Sequence, residues 1–224
     1  MKENSDYNIL FLRILAHDLL APLTAVKWQT ELLGTSHKDE EKRKRYMEGI
    51  SQSTELGISL AKHAHVASKV LSGMYKGEKS DPTHLSRLVR ASTDELMLQY
   101  GRHGLTLDVR VEDEKEEKVC DAPLIALLIW AVGKYFLSCA PPHTLVKMRG
   151  SEAESDGRYT FKATSANIPD ADAYANLFKG GEVKGEEYTQ AHLFAVLINT
   201  VVPLIGATVV TEGGEGNLTV TIQF

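Results

Sequence analysis

Leu12, Ala16, Leu19, Leu23, Val26, Thr30 and Leu33 recur at alternating spacings of four and three, the period of one stripe along an α-helix. A second run, with Met47, Ile50, Thr54, Ile58, Ala61, His65 and Leu71, carries an approximate match. The spacing predicts helices over about 6–33 and 39–73, separated by GTSHKD, where Gly34 can end the first. Asp39, Glu40 and Glu41 open the second, where negative charge suits a helix N-terminus. A lone hairpin cannot bury two such seams. It is expected to pair with a second copy as a dimeric four-helix bundle.

Composition narrows what such a chain can serve. With 224 residues and 43% hydrophobic content it can build one large core or two modest ones. A net charge of -5 leaves no general basic field, so neither nucleic acid nor an anionic membrane is expected as partner. Cys120 and Cys139 are the two cysteines and form no CxxC pair, which fits a reducing compartment and no zinc site. Continuous apolar runs such as LIALLIWAV fall short of a bilayer span, and the opening MKENSDYN is too polar for a secretory signal. A cytoplasmic protein is expected.

Gly77 and Pro82 break the periodicity. The expected organisation is a helical hairpin over 1–75, a linker over 76–82 and a second domain over 83–224. In that domain the pattern predicts a helix near 83–101, a strand over Leu105–Val111, a helix near 121–138 and strands at 144–150 and 158–164. A helix near 188–204 and a closing hairpin complete an α-β-α-β-β-α-β-β order, which suggests an α+β domain with helices on one face of a mixed sheet.

The run LRILAHDLLAPLTAVKWQTELL resembles the H-box of bacterial sensor histidine kinases: a histidine, an acidic residue, and Pro-Leu-Thr downstream. The run from SDPTHLSRLVR to VGKYF is similar to the first half of the kinase ATP-binding domain. The resemblance covers nearly the whole chain. It implies a dimerisation and phosphotransfer hairpin followed by a Bergerat-type ATPase sandwich.

This chain departs from that family where the family holds nucleotide. In WAVGKY, Lys134 and Tyr135 are kept, but Ala131 stands at the asparagine that holds magnesium. In ATSANIP, Ala163 replaces the adenine-binding aspartate, and Ser165 and Asn167 replace two glycines. In TQAHLFAVLI, Thr189, Ala191 and Leu193 occupy the positions of the last glycine-rich box. Alanine can neither ligate a metal nor accept a hydrogen bond from its side chain. The combination is similar to the ChpT-like dimeric histidine phosphotransferases, built like degenerate kinases. It implies phosphoryl transfer without ATP, between receiver-domain aspartates of response regulators, with magnesium supplied by the receiver and none held by this chain.

His17 and Asp18 are the expected reactive pair. Imidazole offers an uncharged nucleophilic nitrogen at neutral pH and forms a reactive phosphoryl adduct. The neighbouring carboxylate is expected to hold the other ring nitrogen. Arg13, His17, Thr24, Lys27 and Glu31 share one helical stripe, so His17 is expected to face solvent. Leu10, Arg13, Ile14, Leu20, Ala21 and Thr24 are expected to form a docking surface for the receiver. Pro22 removes a backbone hydrogen bond one turn from His17 and predicts a local bend. In kinases that also act as phosphatases, the position of Ala21 usually carries Thr or Asn, so transfer is expected to dominate over hydrolysis.

Other features have plainer readings. His63 and His65 are two apart on a helix and cannot share a ligand; Trp28 and Trp130 are expected in packing, and Lys134 and Tyr135 in folding. Two further functions fit the same residues: a dimeric scaffold that docks two-component proteins without chemistry, and a kinase holding ATP by unusual contacts.

Overall fold

The computed structural model describes residues 2–35, 39–78, 81–153, 157–180 and 188–224 and forms two compact units, Met1–Ser72 and Gly73–Phe224. Parts of the GTSHKD turn, the expected linker and the SEAESDG turn lie outside the described residues.

In the first unit, α1 (Lys2–Thr35) packs along α2 (Glu40–Leu71). The Asp39 carboxylate accepts from the Lys42 backbone N–H at 3.1 Å, so the acidic start expected for this helix is its N-cap. Gly34, expected to end α1, lies one residue inside it. α1 also continues through Pro22, whose ring is buried. On α2 the buried residues Ser53, Leu56, Leu60, His63, Ala67 and Val70 recur at spacings of three and four. The Gln29 side chain lies against Gly49, where an added Cβ would come within 2.3 Å of it. Pro22, Asp18 and Phe11 fall on the Gln29 stripe of α1, so that stripe is the one turned toward α2.

Much of the two seams read from the sequence lies elsewhere on these helices. Leu12, Leu23, Met47 and Ile58 are 52–60% exposed, and Ala16, Thr30, Thr54, Ala61 and His65 are exposed with them. Within one hairpin these residues remain uncovered, whereas Leu19, Val26, Leu33 and Ile50 are half-buried and Leu71 is buried. By length and composition two helical segments could cross a bilayer, Ile9–Thr35 and Ala122–Cys139. The sequence expectation counted unbroken apolar runs, whereas these segments reach span length by tolerating scattered polar residues. Ala122–Cys139 is largely buried inside its own domain.

The second unit is built from α3 (Leu85–Arg102), β1 (Thr106–Val111), α4 (Ala122–Cys139), β2 (Leu145–Glu152), β3 (Tyr159–Ser165), α5 (Ala171–Leu177), α6 (Thr189–Leu204), β4 (Thr208–Gly214) and β5 (Asn217–Gln223). The strands form one sheet in the order β1-β2-β3-β5-β4. β1 and β2 are parallel, joined through α4, and the remaining pairs are antiparallel. Val146 and Met148, Phe161 and Ala163, and Val220 and Ile222 are buried, while Lys147, Lys162, Thr164, Thr219 and Thr221 face the other way. Helices thus cover one face of a mixed sheet, as the element order implied.

α4 is buried from Leu127 through Phe136. Trp130 meets Phe194 of α6 edge-on at 5.7 Å, and the Tyr100 hydroxyl donates to the Gly133 carbonyl at 2.9 Å. Gly133 is required there, because a Cβ would stand 2.2 Å from Leu96. Tyr75, expected as the last residue of the hairpin, and Glu78, expected as linker, are fastened to this unit: the Tyr75 hydroxyl and the Glu78 N–H both donate to Asp121, at 2.8 and 2.7 Å. The one described element without a sequence counterpart is α5, whose seven residues are too short for a helical period to stand out.

Candidate functional site

His17 projects from the middle of α1, 86% exposed, with Nδ1 3.4 Å from Oδ1 of the less exposed Asp18. Consecutive helical side chains diverge by about 100°. The contact is therefore at the long end of hydrogen bonding, and the ring turns back toward its neighbour. A carboxylate opposite Nδ1 favours the tautomer with its proton there, which leaves the Nε2 lone pair toward solvent.

The flanking residues divide. Arg13, Leu20, Ala21 and Thr24 are exposed and Leu10 is half-buried, so these five can be reached beside His17. Ile14 departs from the expected docking surface: it is 8% exposed and belongs to the packed side of the helix. It can support the surface but cannot form it. Trp28, expected in packing, is 61% exposed. It stands three helical turns, about 16 Å, beyond His17 on the same stripe as Ala21, Thr24 and Leu32. The signal was present in the spacing 17, 21, 24, 28, which continues past the H-box. Trp130, by contrast, is buried in the core. His63 is buried and His65 exposed, so the two face different ways.

In the second unit Ala131, Ala163 and Ala191 are all 0% exposed. Their methyl groups fill packing positions, and no oxygen is offered there to a metal or an adenine amine. Ser165 is buried, its hydroxyl donating to the Leu145 carbonyl at 3.1 Å. Asn167 keeps a left-handed backbone at φ 62°, a conformation that glycine accepts freely and asparagine tolerates. Thr189 is exposed at the start of α6 and Leu193 is fully buried. Lys134 is buried, with Nζ donating to Gln99 Oε1 at 3.3 Å. Tyr135 sits among Phe136, Tyr174 and Phe178 at 5.0–6.5 Å, and burial pushes its phenol up. Both residues serve packing. These side chains do not fit a magnesium–nucleotide held through the family's contacts.

The helical hairpin and the five-stranded sheet with helices on one face define the architecture of histidine-kinase catalytic regions. Solved structures share it. A bacterial phosphotransferase at 14% identity covers 97% of this chain and 95% of its own, with a TM-score of 0.54. The Acinetobacter baumannii histidine kinase AdeS, at 11% identity, covers 93% and 96% with a TM-score of 0.52. The histidine kinase domain of the Erythrobacter litoralis EL346 blue-light activated histidine kinase, at 16%, covers 91% and 93% at 0.50. No protein-family model and no curated protein sequence matches the chain.

Proposed function

We propose that the protein is a histidine phosphotransferase of a cytoplasmic two-component phosphorelay, accepting a phosphoryl group from one receiver aspartate and passing it to another through His17. The observation that carries this reading is a solvent-exposed His17 whose Nδ1 is held by Asp18 on a reachable, partly apolar stripe. In the forward step Nε2 attacks the phosphorus of an aspartyl phosphate. An N–P bond forms as the P–O bond breaks, the aspartate leaves as carboxylate, and Asp18 stabilises the positive charge gathering on the ring. Transfer to the second receiver reverses these bonds. Magnesium belongs to the receiver's site, and ATP has no part. The likeness to a phosphotransferase and to histidine kinases supports this reading at the level of fold.

A homodimer is part of the proposal. The exposed seams of α1 and α2 lie apart from the stripe that packs within the hairpin, and a second hairpin would cover them.

The test is paired labelling of wild type and His17→Ala, with γ-labelled ATP and magnesium, and separately with receivers already phosphorylated on aspartate. Acid-labile label arriving only from receivers, and only on wild type, is the expected result. Label from ATP alone would establish a kinase instead. Receiver docking with no label from any source would leave a scaffold, a reading that the exposed Trp28 and Leu20 would equally serve.

A further inference from the structure

On the face of the sheet turned away from the helices of its own unit, the ends of β2, β3 and β5 border a cavity of about 320 Å³. Lys147, Thr164 and Thr219 are direct cross-strand partners and project into it as one row. Asn217 enters from the start of β5, and His143 and Asn167 from loops at its rim. Among the described residues no aspartate or glutamate lines it. The charge within it is Lys147, which makes no hydrogen bond or ion pair among the described residues. The register partner of Lys147, Asp108, is bonded to Arg149, which, with Arg110 and Lys147 acting at longer range, lowers that carboxyl from its ordinary value. His143 and Asn167 both adopt left-handed backbones, at φ 65° and 62°.

We propose that this cavity binds a small oxyanion, a phosphoryl or carboxylate group, with Lys147 as its counter-charge and the Thr164, Thr219, Asn167 and Asn217 side chains as hydrogen-bond donors. Its chemistry fits: a cation whose neighbouring carboxylate is already bonded to Arg149, and a ring of hydroxyl and amide groups. Of the degenerate nucleotide positions the site takes in Ser165 and Asn167 at its border, whereas Ala131, Ala163 and Ala191 are enclosed on the covered side of the sheet. It does not depend on His17.

The experiment is a titration of the isotope-labelled full-length protein with inorganic phosphate and, separately, with citrate, followed by amide NMR at matched ionic strength. Saturable shifts at Thr164, Asn167, Asn217 and Thr219 are expected, weakened roughly tenfold or more in Lys147→Ala, largely kept in Lys147→Arg, and unchanged in His17→Ala. Response to phosphate alone would assign a phosphorylated ligand, and response to citrate alone a carboxylate; both support the site. Shifts that do not saturate by about 50 mM, that map elsewhere, or that persist at equal affinity in both Lys147→Ala and Thr219→Val overturn it.

Discussion

His17 and Asp18 differ in exposure as their proposed roles require: the nucleophile is 86% exposed and its orienting carboxylate 20%. Asp18→Asn retains the shape but can no longer present an anionic acceptor to Nδ1. Transfer from a phosphorylated receiver is expected to slow by about tenfold or more, measured in single-turnover kinetics, while docking is unchanged. Trp28 supports a prediction of a different kind. Large exposed aromatics dominate binding energy where they are covered, so Trp28→Ala should weaken receiver docking by roughly tenfold. Because Trp130 is buried at 2% exposure, a change of intrinsic fluorescence on docking reports Trp28 and should vanish in that variant.

Two helices of the second unit begin on carboxylates, α3 on one brought from elsewhere in the chain and α4 on its own N-cap. The α3 N-terminus points its Ser86 N–H at buried Glu114, at 3.2 and 3.0 Å from the two oxygens, because its own N-cap residue His84 makes no side-chain cap bond. Asp121 caps α4 through the Leu124 N–H at 3.0 Å while also accepting from Tyr75 and Glu78. Alanine at position 114 strands the buried Ser86 N–H, and alanine at position 121 strands the part-buried Leu124 N–H and Tyr75 hydroxyl. Each is expected to cost about 2 kcal/mol in urea unfolding. Asp121→Ala should in addition expose the 73–78 segment to protease.

For the whole molecule, the exposed seams carry the dimer prediction. Leu23→Glu together with Met47→Glu should convert a dimer into monomers in sedimentation at micromolar concentration, without loss of helical circular dichroism. Acid stability follows from ion pairs. The Lys42 backbone N–H and then its ammonium lower Asp39, Arg149 lowers Asp108 and Arg90 lowers Asp113, each from the ordinary value of 3.8. The folded chain then binds fewer protons than the unfolded one near that pH. The stability these groups contribute is present above about pH 4 and is lost as pH falls through the folded values. Thermal midpoints should drop below pH 4, and added salt should shrink the drop because all three groups lie at the surface.

Local order was readable from residue spacing alone. The hairpin, the mixed sheet with one covered face, the Asp39 cap and the exposure of His17 each follow from a period of 3.6 or 2 or from a single side chain's capping chemistry, and these need no distant partner to be stated. Three things required the tertiary arrangement. Ile14 and Trp28 exchanged their expected places, because an apolar residue's side of a helix is decided by which neighbour packs there, here the stripe running through Gln29 toward Gly49. The seven-residue α5 is held by its surroundings, being too short to announce itself by period. The cavity around Lys147 exists because strand register aligns residues 17 and 55 positions apart in a single row, a juxtaposition created by long-range pairing and therefore invisible along the chain.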